Sequence, residues 1–139
     1  MKPRISVITL GVSDLEKSVT FYKDGLGLPT DGIVGKEFEY GAVAFFELQS
    51  GLRLALWPKA SIAHDVGIDV DISSRTEMTL GYNVNSKNEV DEIMELAKDA
   101  GGKLIKNATD TFWGGYAGYF ADLDDHLWEV VWNPDIVVE

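Results

Sequence analysis

The sequence predicts an α+β fold: two βαβββ modules, residues 1–58 and 78–139, joined by a connector at 59–77 and forming a curved, open mixed β-barrel with helices outside. Three observations predict it. Two apolar stretches, "ISVITLGV" and "MTLGYNV", each lead into a capping-box pattern, Ser13-Asp14-Leu15-Glu16 and Ser86-Lys87-Asn88-Glu89. "GAVAFF" (Gly41 to Phe46) and "GYAGYF" (Gly115 to Phe120) match at a constant offset of 74 residues, 41 to 115. The same offset sets Gly51 on Asp125 and Leu52 on His126, each just ahead of an apolar strand.

In the first module the Ser13 hydroxyl is placed to accept from the Glu16 amide, and the Glu16 carboxylate to return to the Ser13 amide. Leu15, Val19 and Tyr22 then recur at helical spacing, and Gly25 and Gly27 end the helix. Phe21 and Tyr22 read as core. In the second module Val90, Ile93, Met94 and Ala97 form the apolar stripe, and Gly101-Gly102 stops it. About three strands joined by tight turns follow each helix. The connector has no clear period and no Gly/Ser run, so it reads as ordered rather than as a flexible tether. Two such modules cannot bury both faces of their sheets alone. Side by side, their inward faces would enclose a pocket, the preferred place for a ligand.

Composition removes several function classes. The 139 residues carry a net charge of -11, which disfavours nucleic acid and anionic membrane surfaces as partners. With no cysteine there is no disulfide, thiolate metal site or thiol nucleophile. The opening "MKPRISVITLGV" is too short and too charged to read as a signal peptide, so a cytoplasmic location is expected. "GLGLP" at Gly25 to Pro29 follows a helix instead of preceding one, so it is a helix stop and not a phosphate loop.

The opening "VSDLEKSVTFYKDGLGL" and the closing "GYFADLDDHLWEVVWNP" resemble the vicinal oxygen chelate superfamily, which contains glyoxalase I, extradiol dioxygenases, fosfomycin-resistance proteins and bleomycin-binding proteins. The preceding "WGGYAGYF" resembles a large uncharacterised, glyoxalase-like branch. The resemblance implies a divalent metal held by four side chains, two from each half. Carried onto this chain, the four positions are Val7, Ala55, Thr79 and Glu129. Two have no donor atom, a neutral hydroxyl is a poor ligand, and one carboxylate falls short of the three or so protein ligands of a catalytic site. No metal or other cofactor is therefore expected. The resemblance also implies a homodimer.

The two histidines do not restore the site on paper. His126 is three residues from Glu129 and points to the opposite face of a regular strand, while His64 lies in the connector. Asp122, Asp124 and Asp125 lack the spacing of a calcium loop and read as a solvated turn, with Asp125 taking the left-handed conformation of the family's glycine. Alternation places Arg53 and Trp57 with Ala55, and Leu127 and Val131 with Glu129. Glu129 then either pairs with Arg53 or is left to meet a ligand. Trp113 and Tyr116, beside the Gly114-Gly115 pair, suit a stacking wall or merely fill space. Trp128 and Trp132 fall on the helix side.

The expected function is therefore binding of a hydrophobic or aromatic small molecule through Arg53, Trp57, Thr79, Trp113, Tyr116 and Glu129. The alternative is a lyase, isomerase or dioxygenase type of enzyme in which Glu129 is catalytic.

Overall fold

The computed structural model describes residues 1–72 and 74–139. The chain divides into two compact units, Met1–Ser73 and Ser74–Glu139. The break falls within the segment expected as a connector.

The first unit runs β1 (Val7–Val12), α1 (Leu15–Thr20) continued by a π-helical turn (Phe21–Gly25), β2 (Thr30–Val34), β3 (Val43–Glu47), β4 (Arg53–Pro58) and α2 (Lys59–Val66). Its sheet has the order β1-β4-β3-β2, with β1 parallel to β4 and the other pairs antiparallel. The second unit runs β5 (Thr79–Val84), α3 (Lys87–Asp99), β6 (Lys103–Asp110), β7 (Tyr116–Ala121) and β8 (Leu127–Trp132). Its sheet repeats the pattern as β5-β8-β7-β6, again with one parallel pair. Where one continuous barrel was expected, the ladders form two separate four-stranded sheets.

The internal repeat is literal at the level of register. Phe45 pairs with Ala55 and Tyr119 with Glu129; Glu47 pairs with Arg53 and Ala121 with Leu127. Each of these residues lies 74 positions from its counterpart, so the offset seen in the sequence is an offset in space.

Caps explain where the helices begin. The expected Ser86 cap forms: its hydroxyl accepts from the Glu89 amide at 3.1 Å. The Glu89 carboxylate returns to the Asn85 amide at 2.8 Å, one residue before the expected partner. At α1 the cap is Asp14, not Ser13: Asp14 is extended at φ -130 and its carboxylate accepts from the Lys17 amide at 3.1 Å. An anion there also meets the positive end of the helix, a gain no serine provides.

Each sheet buries the face its helix covers. In the first unit Leu10, Val12, Ala44, Phe46, Leu54 and Leu56 are at most 1% exposed, and Phe21 and Tyr22 pack over them from the first helix. The Tyr22 and Phe46 rings sit 6.0 Å apart, and Phe21 meets Tyr22 edge-on at 5.0 Å. Each buried ring contributes about 1.5–3 kcal/mol before ordering costs. The expected stripe of α3 is buried at Val90, Met94 and Ala97. The helix α2, within the expected connector, packs its Lys59 stem and Ile62 against Gly11 of β1; a Cβ at Gly11 would lie 3.1 Å from Lys59 Cγ. No helix among the described residues is long and apolar enough to cross a membrane.

Candidate functional site

Register places Glu129 at the centre of the second sheet, between Gly81 of β5 and Tyr119 of β7. Alternation puts Glu129 on one face with Leu127, Val131, Ala117, Tyr119, Thr79 and Gly81. The opposite face, bearing Tyr116, Gly118, Phe120, Trp128, Val130 and Trp132, receives α3: a Cβ at Gly118 would lie 2.9 Å from the Met94 methyl. Phe120 and Trp128 stack there at 6.0 Å, consistent with the helix-side placement expected for Trp128 and Trp132.

Glu129 is half-buried, and its Oε2 accepts a hydrogen bond from the Tyr119 hydroxyl at 2.5 Å. This is a charge-assisted bond and the shortest class of protein hydrogen bond. It holds the Tyr119 phenol above its ordinary value of 10.0; burial and the Glu129 charge act in the same direction, in that order. The arrangement is an acid–base pair on a face it shares with Leu127, Val131 and Ala117.

The other expected site residues are distributed as follows. Arg53 binds Glu47, its direct cross-strand neighbour, at 2.8 Å and lies 5.6 Å from the Phe45 ring centre. Two residues already opposed in a ladder meet at no loop-closure cost. Trp57 is half-buried and donates its indole N–H to the Tyr40 carbonyl at 3.0 Å. Thr79 is exposed on the Glu129 face, opposite Leu127. Tyr116 does not join that face: it donates its hydroxyl to Asp91 of α3 at 2.7 Å, and Lys87 lies 5.6 Å from its ring centre. Trp113 folds its six-membered ring onto Gly115, where any Cβ would collide with it. Of the two aromatics beside the glycine pair, Tyr116 bonds to the helix and Trp113 covers Gly115.

The acidic turn also differs from expectation. Asp122 is not solvated; it is 4% exposed and accepts from the amides of Asp124 at 2.9 Å and His126 at 2.8 Å. Its second oxygen lies 2.6 Å from His126 Nδ1. Asp125 takes φ 66, as expected of the residue in the glycine position, matching Gly51 at φ 80 in the first unit. His64 is exposed on α2 and stacks on Tyr40 at 4.0 Å.

The candidate-site residue that sequence reasoning missed is Tyr119, the hydrogen-bond partner of Glu129. The signal was present, because the 74-residue offset aligns Tyr119 with Phe45 and Glu129 with Ala55 in the same hairpin.

The sequence profile of the Glyoxalase/Bleomycin resistance protein/Dioxygenase superfamily matches residues 4–130. The chain belongs to this superfamily. A glyoxalase-related enzyme from Fulvimarina pelagi is 36% identical, with 99% of this chain and 93% of that one covered and a TM-score of 0.82. A genomically encoded fosfomycin resistance protein from Listeria monocytogenes is 25% identical over 96% of this chain and 95% of that one, with a TM-score of 0.70. A lactoylglutathione lyase from Agrobacterium tumefaciens, 21% identical over the whole of both chains with a TM-score of 0.69, shares the fold. Comparison with curated protein sequences gives no match.

Measured against a divalent metal of the glyoxalase type, the side chains at the expected positions do not fit. Val7 and Ala55 present hydrocarbon, Thr79 a neutral hydroxyl, and Glu129 a carboxylate already engaged by Tyr119. Among the described residues, no three His, Asp or Glu side chains are grouped to hold an ion.

Proposed function

We propose that this glyoxalase-superfamily chain binds a hydrophobic or aromatic small molecule on the Glu129 face of its second sheet, without a metal ion. One observation carries the reading: Glu129, the one strong donor at the four expected positions, is hydrogen-bonded by Tyr119 instead of standing among metal ligands. Leu127 beside Glu129 along β8 and Tyr119 across from it, both half-buried, supply apolar and aromatic surface around one fixed carboxylate. That composition, apolar walls with a single oriented polar group, suits small-molecule recognition. A thermal-shift screen of aromatic compounds tests it. Stabilisation is expected in the presence of EDTA and is lost in Glu129→Gln. Stabilisation that requires added divalent metal would overturn it.

A second reading has its own support. The Tyr119–Glu129 pair has the make-up of an acid–base device, and the Fulvimarina pelagi relative is described as an enzyme. In this reading Glu129 takes a proton from a bound substrate and Tyr119 holds the carboxylate in place. Glu129→Gln would then abolish turnover with the melting temperature nearly unchanged; an unaltered rate would eliminate the reading.

A further inference from the structure

Glu129 has two ladder neighbours, and they differ completely. On the β7 side Tyr119 occupies Oε2. On the β5 side the partner is Gly81, which is exposed and has no side chain. A Cβ added at Gly81 would meet nothing within 4 Å, and its φ lies outside the left-handed range. The glycine is thus required neither by backbone geometry nor by close packing, in contrast to Gly118, whose missing Cβ makes room for Met94. What Gly81 leaves is open space at the position paired with Glu129.

The rim of that space is polar. Thr79 and Asn83 share the face with Gly81 on β5, and Leu127 and Val131 stand opposite them on β8. Among the described residues no hydrogen bond other than that from Tyr119 reaches Glu129. Thr79 and Asn83 offer acceptor oxygens, and Oε1 of Glu129 offers a charged one. The nearest cation of the same row, Lys106, pairs with Tyr119 on the far side, two strands or roughly 10 Å from Glu129. At that distance its field is largely screened.

We infer that Gly81 keeps open a niche for a cationic N–H group, an ammonium or amidinium carried on an aromatic or aliphatic body, with Glu129 as its counter-ion. Tyr119 holds Oε2 and leaves Oε1 for such a group, and the net charge of -11 attracts a cation and repels an anion. The inference rests on the binding reading above and names the ligand class for the same face.

Calorimetry on the full chain in EDTA, with three matched probes, tests it: benzamidinium, neutral acetophenone and benzoate. Benzamidinium is expected to bind about tenfold or more tightly than acetophenone, as one charge-assisted hydrogen bond allows, and benzoate least. Gly81→Val fills the niche and is expected to weaken benzamidinium about tenfold more than it weakens acetophenone. Gly81→Ala provides a milder version should valine disturb the edge strand. Benzamidinium binding no tighter than acetophenone, or untouched by both variants, would overturn the niche. If acetophenone alone binds in EDTA, the niche falls and the binding reading stands. If no probe binds until divalent metal is added, both fall.

Discussion

Tyr119 and Glu129 face each other directly across the β7–β8 ladder, hydroxyl to carboxylate at 2.5 Å, whereas the equivalent pair in the first unit is Phe45 and Ala55. The same backbone position therefore carries an apolar pair in one module and a hydrogen-bonded pair in the other. Because the apolar version supports an equivalent sheet, the polar pair is not needed to form the fold. Its presence in the second unit calls for a functional explanation.

Removing the hydroxyl isolates this pair. Tyr119→Phe leaves a half-buried carboxylate without its donor and is expected to cost about 1 kcal/mol, less than a fully buried charged bond because solvent reaches the site. Urea denaturation of the variant against the parent chain measures it.

The pair also sets an alkaline signature. The phenol of Tyr119 is held above 10.0 by its bond to Glu129, and that of Tyr116 chiefly by its bond to Asp91. In both cases the folded chain holds the phenolic proton more tightly than the unfolded chain does. The stabilisation is therefore complete below about pH 10 and is lost as pH rises through the raised folded values. Spectrophotometric titration should show one late-ionising phenol that disappears in Tyr119→Phe and another that disappears in Tyr116→Phe.

The acidic turn separates two effects at neighbouring aspartates. Asp125 sits at φ 66, so Asp125→Gly is expected to gain up to about 1 kcal/mol and Asp125→Val to lose at least as much. Its contacts to Arg75 and Lys103, both at 3.9 Å and exposed, offset little. Asp122→Ala should instead cost about 2–4 kcal/mol, since it deletes a buried carboxylate bonded to two amides and His126. Denaturation midpoints moving in opposite directions for Asp125→Gly and Asp122→Ala would bear this out.

Packing on the helix side makes a sharper demand. At Gly118 a Cβ would lie 2.9 Å from the Met94 methyl, which can move, but also 3.0 Å from the backbone nitrogen of Ala108, which cannot. Gly118→Ala is expected to cost about 1–3 kcal/mol by overpacking, whereas Gly81→Ala should be nearly silent. A comparison of the two melting temperatures decides it.

What could be read from the sequence were features fixed by short-range rules. The Ser86 cap, the Val90–Met94–Ala97 stripe, the burial of Phe21 and Tyr22, the positive φ of Asp125 and the 74-residue repeat each follow from local chemistry or period. The misreadings came where two local rules competed or a register was not carried through. Asp14 outcompeted Ser13 because both are good caps and only one carries charge. Tyr116 was read by its proximity to two glycines, although its parity relative to Trp132 puts it on the helix side. The burial of Asp122 depends on the packing of the turn as a whole, which no local pattern encodes.

Metal content tests the central claim most directly. Purified protein, incubated with excess divalent nickel, zinc, manganese or iron and then desalted, should retain far less than one ion per chain by elemental analysis, in the parent and in Glu129→Gln alike. Retention of one ion per chain that disappears in Glu129→Gln would contradict the account.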